Sequence, residues 1–250
     1  MDGLSLRRRI ALDIARSMRK SQEEEHPLRQ LFWECTLRCN LRCQHCGSDC
    51  KQVAATPDMP KEDFFKVLDS IAAKTDPHKV FVIISGGEPT MRADLEECGK
   101  GIYSRGFPWG MVTNGFGMTA ERFSRLLGAG LHSMTVSLDG LEENHDWLHG
   151  REGSFTRAAE TIRMAVRSGI AFDVVTCVNR RNYPQLPQLK EFLIGLGLKE
   201  WRLFSIFPQG RAALNPDLQL PPEMFRGMLD FIRETRKEGR IKASYGCEGF

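Results

Sequence analysis

The sequence lacks three features that would each assign it to a broad class of protein. No purely apolar run exceeds residues 80–84, whereas a membrane-spanning helix needs roughly 20 apolar residues. The net charge is only +3, which is too small to make nucleic acid an obligatory partner. A composition of 41% hydrophobic and 27% charged residues excludes a disordered or fibrous chain. The 250 residues therefore predict a globular domain with a sizeable core.

A secretory signal is also missing. The basic residues 7–9 are followed by only three apolar residues before Asp13, which is too short for the hydrophobic segment of a signal peptide. Cysteine is nevertheless abundant, and five of the eight cysteines lie close together, at Cys35, Cys39, Cys43, Cys46 and Cys50. A disulfide framework normally serves a small secreted domain. We therefore expect a cytoplasmic protein whose thiolates bind metal.

Apolar periodicity predicts strands that alternate with helices. The predicted strands cover residues 31–37, 80–84, 107–113, 131–138, 171–178 and 200–206. The predicted helices cover 61–73, 94–104, 154–168 and 222–237, with two more beginning near Thr119 and Asn182. This alternation indicates a parallel sheet with right-handed crossovers. An open doubly wound sheet and a partly closed barrel both fit, and in either fold ligands bind at the carboxyl ends of the strands.

Three parts are expected along the chain. Residues 1–28 form an N-terminal helical extension, residues 29–212 hold the strand–helix units, and residues 213–250 hold a final helix and a short C-terminal segment. Residues 4–20 have apolar positions at helical spacing and a basic opposite face. This helix either packs on the domain with a solvated face or binds a membrane surface or a partner.

The spacing of the cysteines limits which kinds of metal site the sequence can form. Zinc sites usually combine two short cysteine pairs, but this segment holds a single Cys-x2-Cys pair. Four cysteines would occupy every iron of an iron–sulfur cluster, whereas three leave one iron open. Only Cys39, Cys43 and Cys46 give Cys-x3-Cys-x2-Cys, directly after the first predicted strand. This motif in this place resembles the radical S-adenosylmethionine (SAM) superfamily.

The resemblance implies a partial (β/α)6 TIM-like barrel and a [4Fe–4S] cluster. Cys39, Cys43 and Cys46 would hold the cluster and form the catalytic centre, and the open iron would bind SAM. An electron donor such as flavodoxin or ferredoxin would drive cleavage of SAM to a 5′-deoxyadenosyl radical, which takes hydrogen from a substrate. His45 occupies a position that is often aromatic in the family and lies near the adenine.

A second motif follows the second predicted strand. Gly86, Gly87 and Glu88 resemble the family's Gly-Gly-Glu motif, which binds the amino group of SAM. Glycines allow a ligand to approach the backbone closely, and a carboxylate accepts hydrogen bonds from a cation. Without the cysteine motif, the same residues would indicate only an ordinary turn.

Four further residues lie at the end of later predicted strands or after them and are candidates for binding SAM. Similar residues in relatives contact the ribose, the adenine or the methionyl carboxylate, and the candidates here are Ser137, Asp139, Asn179 and Arg211. The alternative for the first three is turn chemistry, since Asp and Asn commonly form turns. The alternative for Arg211 is an exposed surface cation.

The remaining cysteines and histidines are expected in different surroundings. Cys35 lies within the first predicted strand and is expected to be a buried structural thiol. Cys50 is either an ordinary thiol or a further ligand, and Cys98 and Cys177 are expected in the core. His132, His145 and His149 lack ligand spacing and are expected to be solvated, so no second metal site is predicted.

The end of the sequence bears on the substrate. Cys247 in Cys-x-Gly resembles the first cysteine motif of the SPASM domain, which carries auxiliary iron–sulfur clusters in relatives that modify peptides or proteins. We expect either a truncated chain, with auxiliary clusters only in a longer form, or a natural end with a free thiol. The first functional hypothesis is a radical SAM enzyme acting on a peptide or protein. The alternatives are a radical SAM enzyme acting on a small molecule or cofactor precursor, and a non-catalytic metal-binding module.

Overall fold

A computed structural model describes residues 5–246 and shows one parallel sheet of seven strands. The strands are β1 (Gln30–Thr36), β2 (Phe81–Gly86), β3 (Trp109–Thr113), β4 (Leu131–Ser137), β5 (Ala171–Val178), β6 (Glu200–Ser205) and β7 (Lys242–Tyr245). The helices are α1 (Leu6–Glu25), α2 (Lys61–Ala72), α3 (Leu95–Tyr103), α4 (Ala120–Gly128), α5 (Glu142–His149), α6 (Ser154–Ser168), α7 (Leu186–Gly195) and α8 (Pro222–Glu238). Short 3-10 turns lie at Pro77–Lys79, Pro89–Met91, Tyr183–Gln185, Gly210–Leu214 and Pro216–Leu218.

The strand order decides between the two expected folds. The strands lie in the sheet in the order β1-β2-β3-β4-β5-β6-β7, and each pairs in parallel with the next. A doubly wound sheet requires a reversal of this order, which would place helices on both faces. Because every right-handed crossover here runs the same way, the helices lie on one face and the sheet curls around the other. The fold is therefore the predicted partial barrel, which is open between β1 and β7 within the described residues.

Alternation along β2 shows how the two faces differ. Val82 and Ile84 are fully buried and belong to the main apolar core, together with Leu68 of α2 and Ile102 of α3. Phe81 and Ile83 point the opposite way, as the two-residue period of a strand requires, and line a cavity of ≈ 680 Å³ inside the barrel. The core therefore lies between sheet and helices, and the barrel interior retains open space.

The predicted strands are confirmed to within two residues at each end, and two elements were missed. Helix α5 is short and polar, and it buries Asn144, His145 and His149 where an ordinary helix buries aliphatic side chains. Strand β7 has only four residues and pairs with β6, so the C-terminal segment extends the same sheet. Both elements lack the apolar run that marks the other strands and helices in the sequence.

The two ends of the chain differ in what the structure shows. The predicted N-terminal helix is confirmed as α1, and its apolar side chains Leu6, Ile10, Ile14 and Met18 are exposed, so α1 does not pack on the domain. Cys247 lies outside the described residues, and the SPASM interpretation stays a prediction. Within residues 5–246, no helix combines the length and the apolar character needed to cross a membrane.

Candidate functional site

The three motif cysteines lie on one loop at the carboxyl end of β1. This segment, residues 37–51, is called the cysteine loop. Cys39 is buried, Cys43 and Cys46 are half-buried, and all three are free of disulfide bonds. They line one cavity of ≈ 150 Å³, which also contacts Gly86, Gly87, Glu88, Asn114, Ser137, His149 and Arg211. The structure thus brings the two predicted motifs to the same place.

Backbone hydrogen bonds close the cysteine loop on itself. The Cys39 N–H donates to the Lys51 carbonyl at 2.8 Å, and the Lys51 N–H donates to the Leu37 carbonyl at 3.2 Å. The end of α5 then holds the middle of the loop, because the carbonyls of Leu148 and His149 accept from Gln44 N–H at 2.8 Å and Arg42 N–H at 3.2 Å.

Arg211 holds the same loop from the far side. Its Nε donates to the Cys43 carbonyl at 2.7 Å, its guanidinium also reaches the Cys50 carbonyl at 3.2 Å, and its N–H donates to the Cys46 carbonyl at 2.9 Å. Arg211 therefore lines the cavity, as a cofactor-binding residue would, and also organises the loop. The surface-cation alternative does not describe its position.

Gly86 and Gly87 are required by the close approach of β2 to the start of the cysteine loop. Gly86 has a φ of +124°, and a Cβ there would lie 2.3 Å from the Thr36 carbonyl oxygen. A Cβ at Gly87 would lie 2.2 Å from the Arg38 carbonyl oxygen. Real Cβ atoms essentially never come so near another atom, so a side chain at either position would push the two motifs apart.

Glu88 is fully enclosed and organises the loop after β3. Its Oε1 accepts from the Thr90 N–H at 3.0 Å, the Thr90 hydroxyl at 2.8 Å and the Thr113 hydroxyl at 2.8 Å. Within residues 5–246, its Oε2 accepts only the Asn114 N–H, at 2.8 Å, and so retains capacity for a ligand. Burial raises the pKa of Glu88, and these hydrogen bonds oppose that rise.

Asp139 is also buried, but its partners are histidines. Its Oδ2 lies 2.8 Å from Nε2 of His149 and 3.6 Å from Nε2 of His45, and its Oδ1 accepts the Cys177 N–H at 2.5 Å. Burial alone would raise the pKa of Asp139, but the His149 hydrogen bond and the neighbouring imidazoles lower it to about 2. Asp139 does not line the cavity itself and reaches it through His149 and His45.

His149 connects Asp139 to the motif cysteines. Its Nδ1 lies 3.2 Å from Sγ of Cys43, and its ring stacks on His145 with centroids 4.0 Å apart. Burial would lower the pKa of His149, but the Cys43 sulfur and the Asp139 carboxylate raise it to about 10.

His145, which neighbours His149, makes no hydrogen bond to a carboxylate or a sulfur among the described residues. Burial and then the charge of His149 hold its pKa well below the usual value, and its Nδ1 accepts the Asp139 N–H at 3.0 Å. The expectation of solvated histidines was therefore wrong for His145 and His149, while His132 is exposed. Their four-residue spacing places them on one helix face, a signal that is readable only once α5 is recognised.

His45 lines the cavity between Cys43 and Cys46. Burial lowers its pKa to about 4, against the opposing charge of Asp139, so its ring is neutral near pH 7. Its Nδ1 is buried and has no hydrogen-bond partner among residues 5–246. An unpaired buried acceptor is costly unless a ligand satisfies it, which fits the predicted contact with a bound nucleoside.

The two remaining site candidates differ in position. Ser137 lines the cavity, and it also lines a second cavity of ≈ 480 Å³ inside the barrel. Asn179 lines neither, because its Oδ1 accepts the N–H groups of Arg181 at 2.9 Å and Asn182 at 3.1 Å in a local turn. The structure therefore brings Ser137, and not Asn179, to the motif cysteines.

The other cysteines separate by burial. Cys35 and Cys98 lie in the main core, as expected, and burial raises the pKa of Cys35 to about 12 and that of Cys98 to about 11. Cys177 is half-buried and lines the ≈ 480 Å³ cavity, so it is less enclosed than expected. Cys50 is buried and lines the same cavity as the three motif cysteines, so both interpretations of it stay open.

The donor set fits an iron–sulfur cluster with an open iron. The three motif thiols are free of disulfide bonds and face one cavity, which the free thiol of Cys50 also lines, and thiolates are the usual ligands of such clusters. Burial raises the pKa of Cys39 to about 12, so metal binding there must displace a proton from the thiol. His45 Nδ1 and Glu88 Oε2 are acceptors beside this donor set that a ligand on the open iron could use.

Comparison with known proteins places this geometry in a family. The Radical SAM superfamily profile matches residues 33–193. The AdoMet-dependent heme synthase of Methanosarcina barkeri is 28% identical over 220 residues, covering 88% of this chain and 62% of that protein. The PqqA peptide cyclase of Rhizobium meliloti is 26% identical over 217 residues, covering 86% of this chain and 56% of that protein. The chain thus spans about three fifths of the length of these relatives.

Solved structures show the same fold. Streptococcus suis SuiB bound to S-adenosylmethionine superposes with a TM-score of 0.71 at 15% identity, covering 100% of this chain and 58% of that chain. The enzyme anSMEcpe with bound AdoMet superposes with a TM-score of 0.71 at 18% identity, covering 88% of this chain and 64% of that chain. With a profile matching more than half of its residues and this barrel, the chain belongs to the radical SAM superfamily.

Proposed function

We propose that this chain is the core of a radical SAM enzyme whose [4Fe–4S] cluster is held by Cys39, Cys43 and Cys46. The observation that carries the proposal is the convergence of three free thiols and the Gly-Gly-Glu segment on one cavity at the strand ends. When bound and reduced, the cluster would supply one electron for cleavage of a sulfur–carbon bond of SAM, and the resulting 5′-deoxyadenosyl radical would take a hydrogen atom from the substrate. The electron would come from a protein donor such as flavodoxin or ferredoxin.

Different residues around the cavity contact different parts of SAM. Glu88 Oε2 accepts a hydrogen bond from the SAM amino group, and the bare backbone at Gly86 and Gly87 lets that group approach. The neutral His45 ring faces the nucleoside, and the Ser137 hydroxyl is open to the ribose or carboxylate. Arg211 keeps the cysteine loop at a fixed distance from these groups through its three carbonyl contacts.

The substrate would enter from inside the barrel. The ≈ 480 Å³ cavity shares His45, Ser85, Val112 and Ser137 with the cysteine cavity, so the two cavities lie side by side. Its other walls are mainly apolar, including Phe204 and Phe207. A radical formed at the cysteines would therefore lie close to a substrate held in the barrel.

We favour a peptide or protein substrate. The structure of SuiB bound to its precursor peptide superposes with a TM-score of 0.69, and the PqqA peptide cyclases are relatives in sequence. The second candidate is a cofactor precursor, because the Fe-coproporphyrin III synthase of Methanosarcina barkeri is 31% identical over 210 residues.

The test is reductive cleavage of SAM by anaerobically reconstituted protein. With dithionite, the wild-type protein should bind iron and sulfide and release 5′-deoxyadenosine, and Cys43→Ala should release none. Cys98→Ala is the matched control, because Cys98 is a core thiol away from the cavity and should retain cleavage. Zinc binding without visible charge-transfer absorption would instead indicate a non-catalytic metal module. Acceleration by a candidate peptide or by a tetrapyrrole would decide between the two substrate classes.

A further inference from the structure

His149 is placed to donate a hydrogen bond to one motif cysteine. Its Nδ1 lies 3.2 Å from Sγ of Cys43, and its Nε2 lies 2.8 Å from Oδ2 of Asp139. The imidazole is only 2% exposed, so water does not compete for either contact. The three groups form a continuous line from a buried carboxylate to a sulfur at the cavity.

The direction of the hydrogen bond follows from the acceptors at each end. A cysteine that ligates iron is a thiolate and carries no hydrogen, so only Nδ1–H of His149 can bridge the 3.2 Å to Cys43. On the other side of the ring, Nε2 of His149 shares a hydrogen bond of 2.8 Å with Oδ2 of Asp139. Asp139 is itself oriented by the Cys177 N–H, which donates to its other oxygen. Both hydrogen bonds therefore fix the ring with Nδ1 toward the sulfur.

The backbone keeps this ring in register with the cysteine loop. The His149 carbonyl accepts the Arg42 N–H, and the neighbouring Leu148 carbonyl accepts the Gln44 N–H, so residues on both sides of Cys43 are tied to α5. Arg211 Nε donates to the carbonyl of Cys43 itself. The distance from Nδ1 to Sγ is therefore set by the fold and not by a mobile side chain.

The other two motif cysteines have no comparable donor among the described residues. Sγ of Cys39 has the Asn114 amide nitrogen at 3.9 Å, and Sγ of Cys46 lies 3.3 Å from the Ser48 carbonyl, which cannot donate. The ligand set is therefore asymmetric, with one sulfur held by a strong, buried hydrogen bond.

We propose that His149, oriented by Asp139, is a positioning residue that raises the reduction potential of the cluster through its hydrogen bond to Cys43. A donor to a ligand sulfur stabilises the extra electron of the reduced cluster more than it stabilises the oxidised form. This inference rests on the proposed function, because it requires a cluster on Cys39, Cys43 and Cys46. Helix α5, which carries His149, thereby helps to set the reduction potential of the cluster.

The test is potentiometric titration of the reconstituted cluster, followed by EPR of the reduced form, without SAM. In His149→Phe, the ratio of reduced to oxidised cluster at a fixed poised potential should fall about tenfold, which is 59 mV for a one-electron couple. His149→Gln, whose amide can donate to sulfur, should recover part of the shift. His145→Phe is the matched control, because it replaces the stacked neighbouring imidazole on the same helix by a phenyl ring and leaves the Cys43 contact in place. Equal potentials in His149→Phe and His145→Phe would overturn the inference.

A second measurement uses the wild-type protein, in case His149→Phe does not assemble a cluster. Protein labelled with ¹⁵N-histidine should show a histidine nitrogen hyperfine coupling to the reduced cluster, and the coupling should persist in His45→Phe and His145→Phe. Absence of the coupling from the wild type, or its loss in His45→Phe alone, would contradict the hydrogen bond. Failure of wild-type protein to bind iron and sulfide would instead contradict the proposed function.

Discussion

Two buried carboxylates stand at equivalent places in the barrel and have different surroundings. Glu88 follows β2 and Asp139 follows β4, and each is 1% exposed. In the described part of the chain, Glu88 receives only neutral donors, from two threonine hydroxyls and two backbone N–H groups. Asp139 receives the imidazole of His149 and one backbone N–H, with His45 at 3.6 Å. The same chemical group therefore holds a loop in one network and an imidazole in the other.

The pKa directions express this difference. Burial raises the pKa of Glu88, because its neutral partners compensate only in part for lost water. Burial acts on Asp139 too, but its histidine partners outweigh it and lower the pKa to about 2. A carboxylate at a strand end can therefore act on backbone geometry or on the charge of a neighbour, depending on its partners. Substitutions of these two carboxylates and of their partners test this difference.

The largest effect on stability is expected from Asp139→Asn. The amide leaves the buried His149 without an anionic partner, and breaking such a pair costs about 3 kcal/mol. Urea unfolding of the cluster-free protein would measure the free energy of unfolding. Asp230→Asn is the control, because Asp230 is an exposed partner of Arg233 and should change stability by about 0.5 kcal/mol or less. A loss for Asp139→Asn no larger than that of the control would contradict the ion-pair description.

A smaller loss is expected from Glu88→Gln. The amide keeps one oxygen that can accept from the neutral donors, but its NH2 group then faces a donor that it cannot accept from. This mismatch is expected to lower the free energy of unfolding by about 1–2 kcal/mol. The same urea titration would report the loss, and equilibrium dialysis would report weaker SAM binding to the reconstituted protein. If Glu88→Gln destabilised the protein as much as Asp139→Asn, the two networks would not differ in kind.

Coupling energies between each carboxylate and one of its partners test whether the two networks differ in kind. A double-mutant cycle of Asp139→Asn with His149→Gln should give a coupling of about 1–3 kcal/mol, as expected for contacting charged groups. A cycle of Glu88→Gln with Thr90→Val, which removes a hydroxyl without changing shape, should give about 1 kcal/mol or less. Equal couplings would show that the His149 contact carries no special charge interaction.

The sequence predicted the parts of the site whose spacing is local along the chain. One motif lies within eight residues, at Cys39, Cys43 and Cys46, and the other includes the adjacent Gly87 and Glu88. Both can therefore be recognised in the sequence without knowledge of the fold. The strands were predicted for the same reason, because a buried parallel strand is a continuous apolar run. The His149 contact with Cys43 joins residues 106 positions apart and depends on α5, whose buried face is polar. Asn179 followed the correct strand, but its side chain is used by a local turn.

The smallest effects are expected at Ser137, whose hydroxyl faces the cavity, and at Asn179, whose amide is used in a local turn. Ser137→Ala removes a group that faces both cavities and should weaken SAM binding about fivefold, since one neutral hydrogen bond contributes about 1 kcal/mol. Its effect on stability should stay within about 0.5 kcal/mol. Asn179→Ala should do the reverse, because it loses the two turn hydrogen bonds, at a cost of about 1 kcal/mol, and leaves the cavity unchanged. Dialysis and urea unfolding on both variants separate the two quantities. Weaker SAM binding in Asn179→Ala would show that Asn179 reaches the ligand, as its place after β5 first indicated.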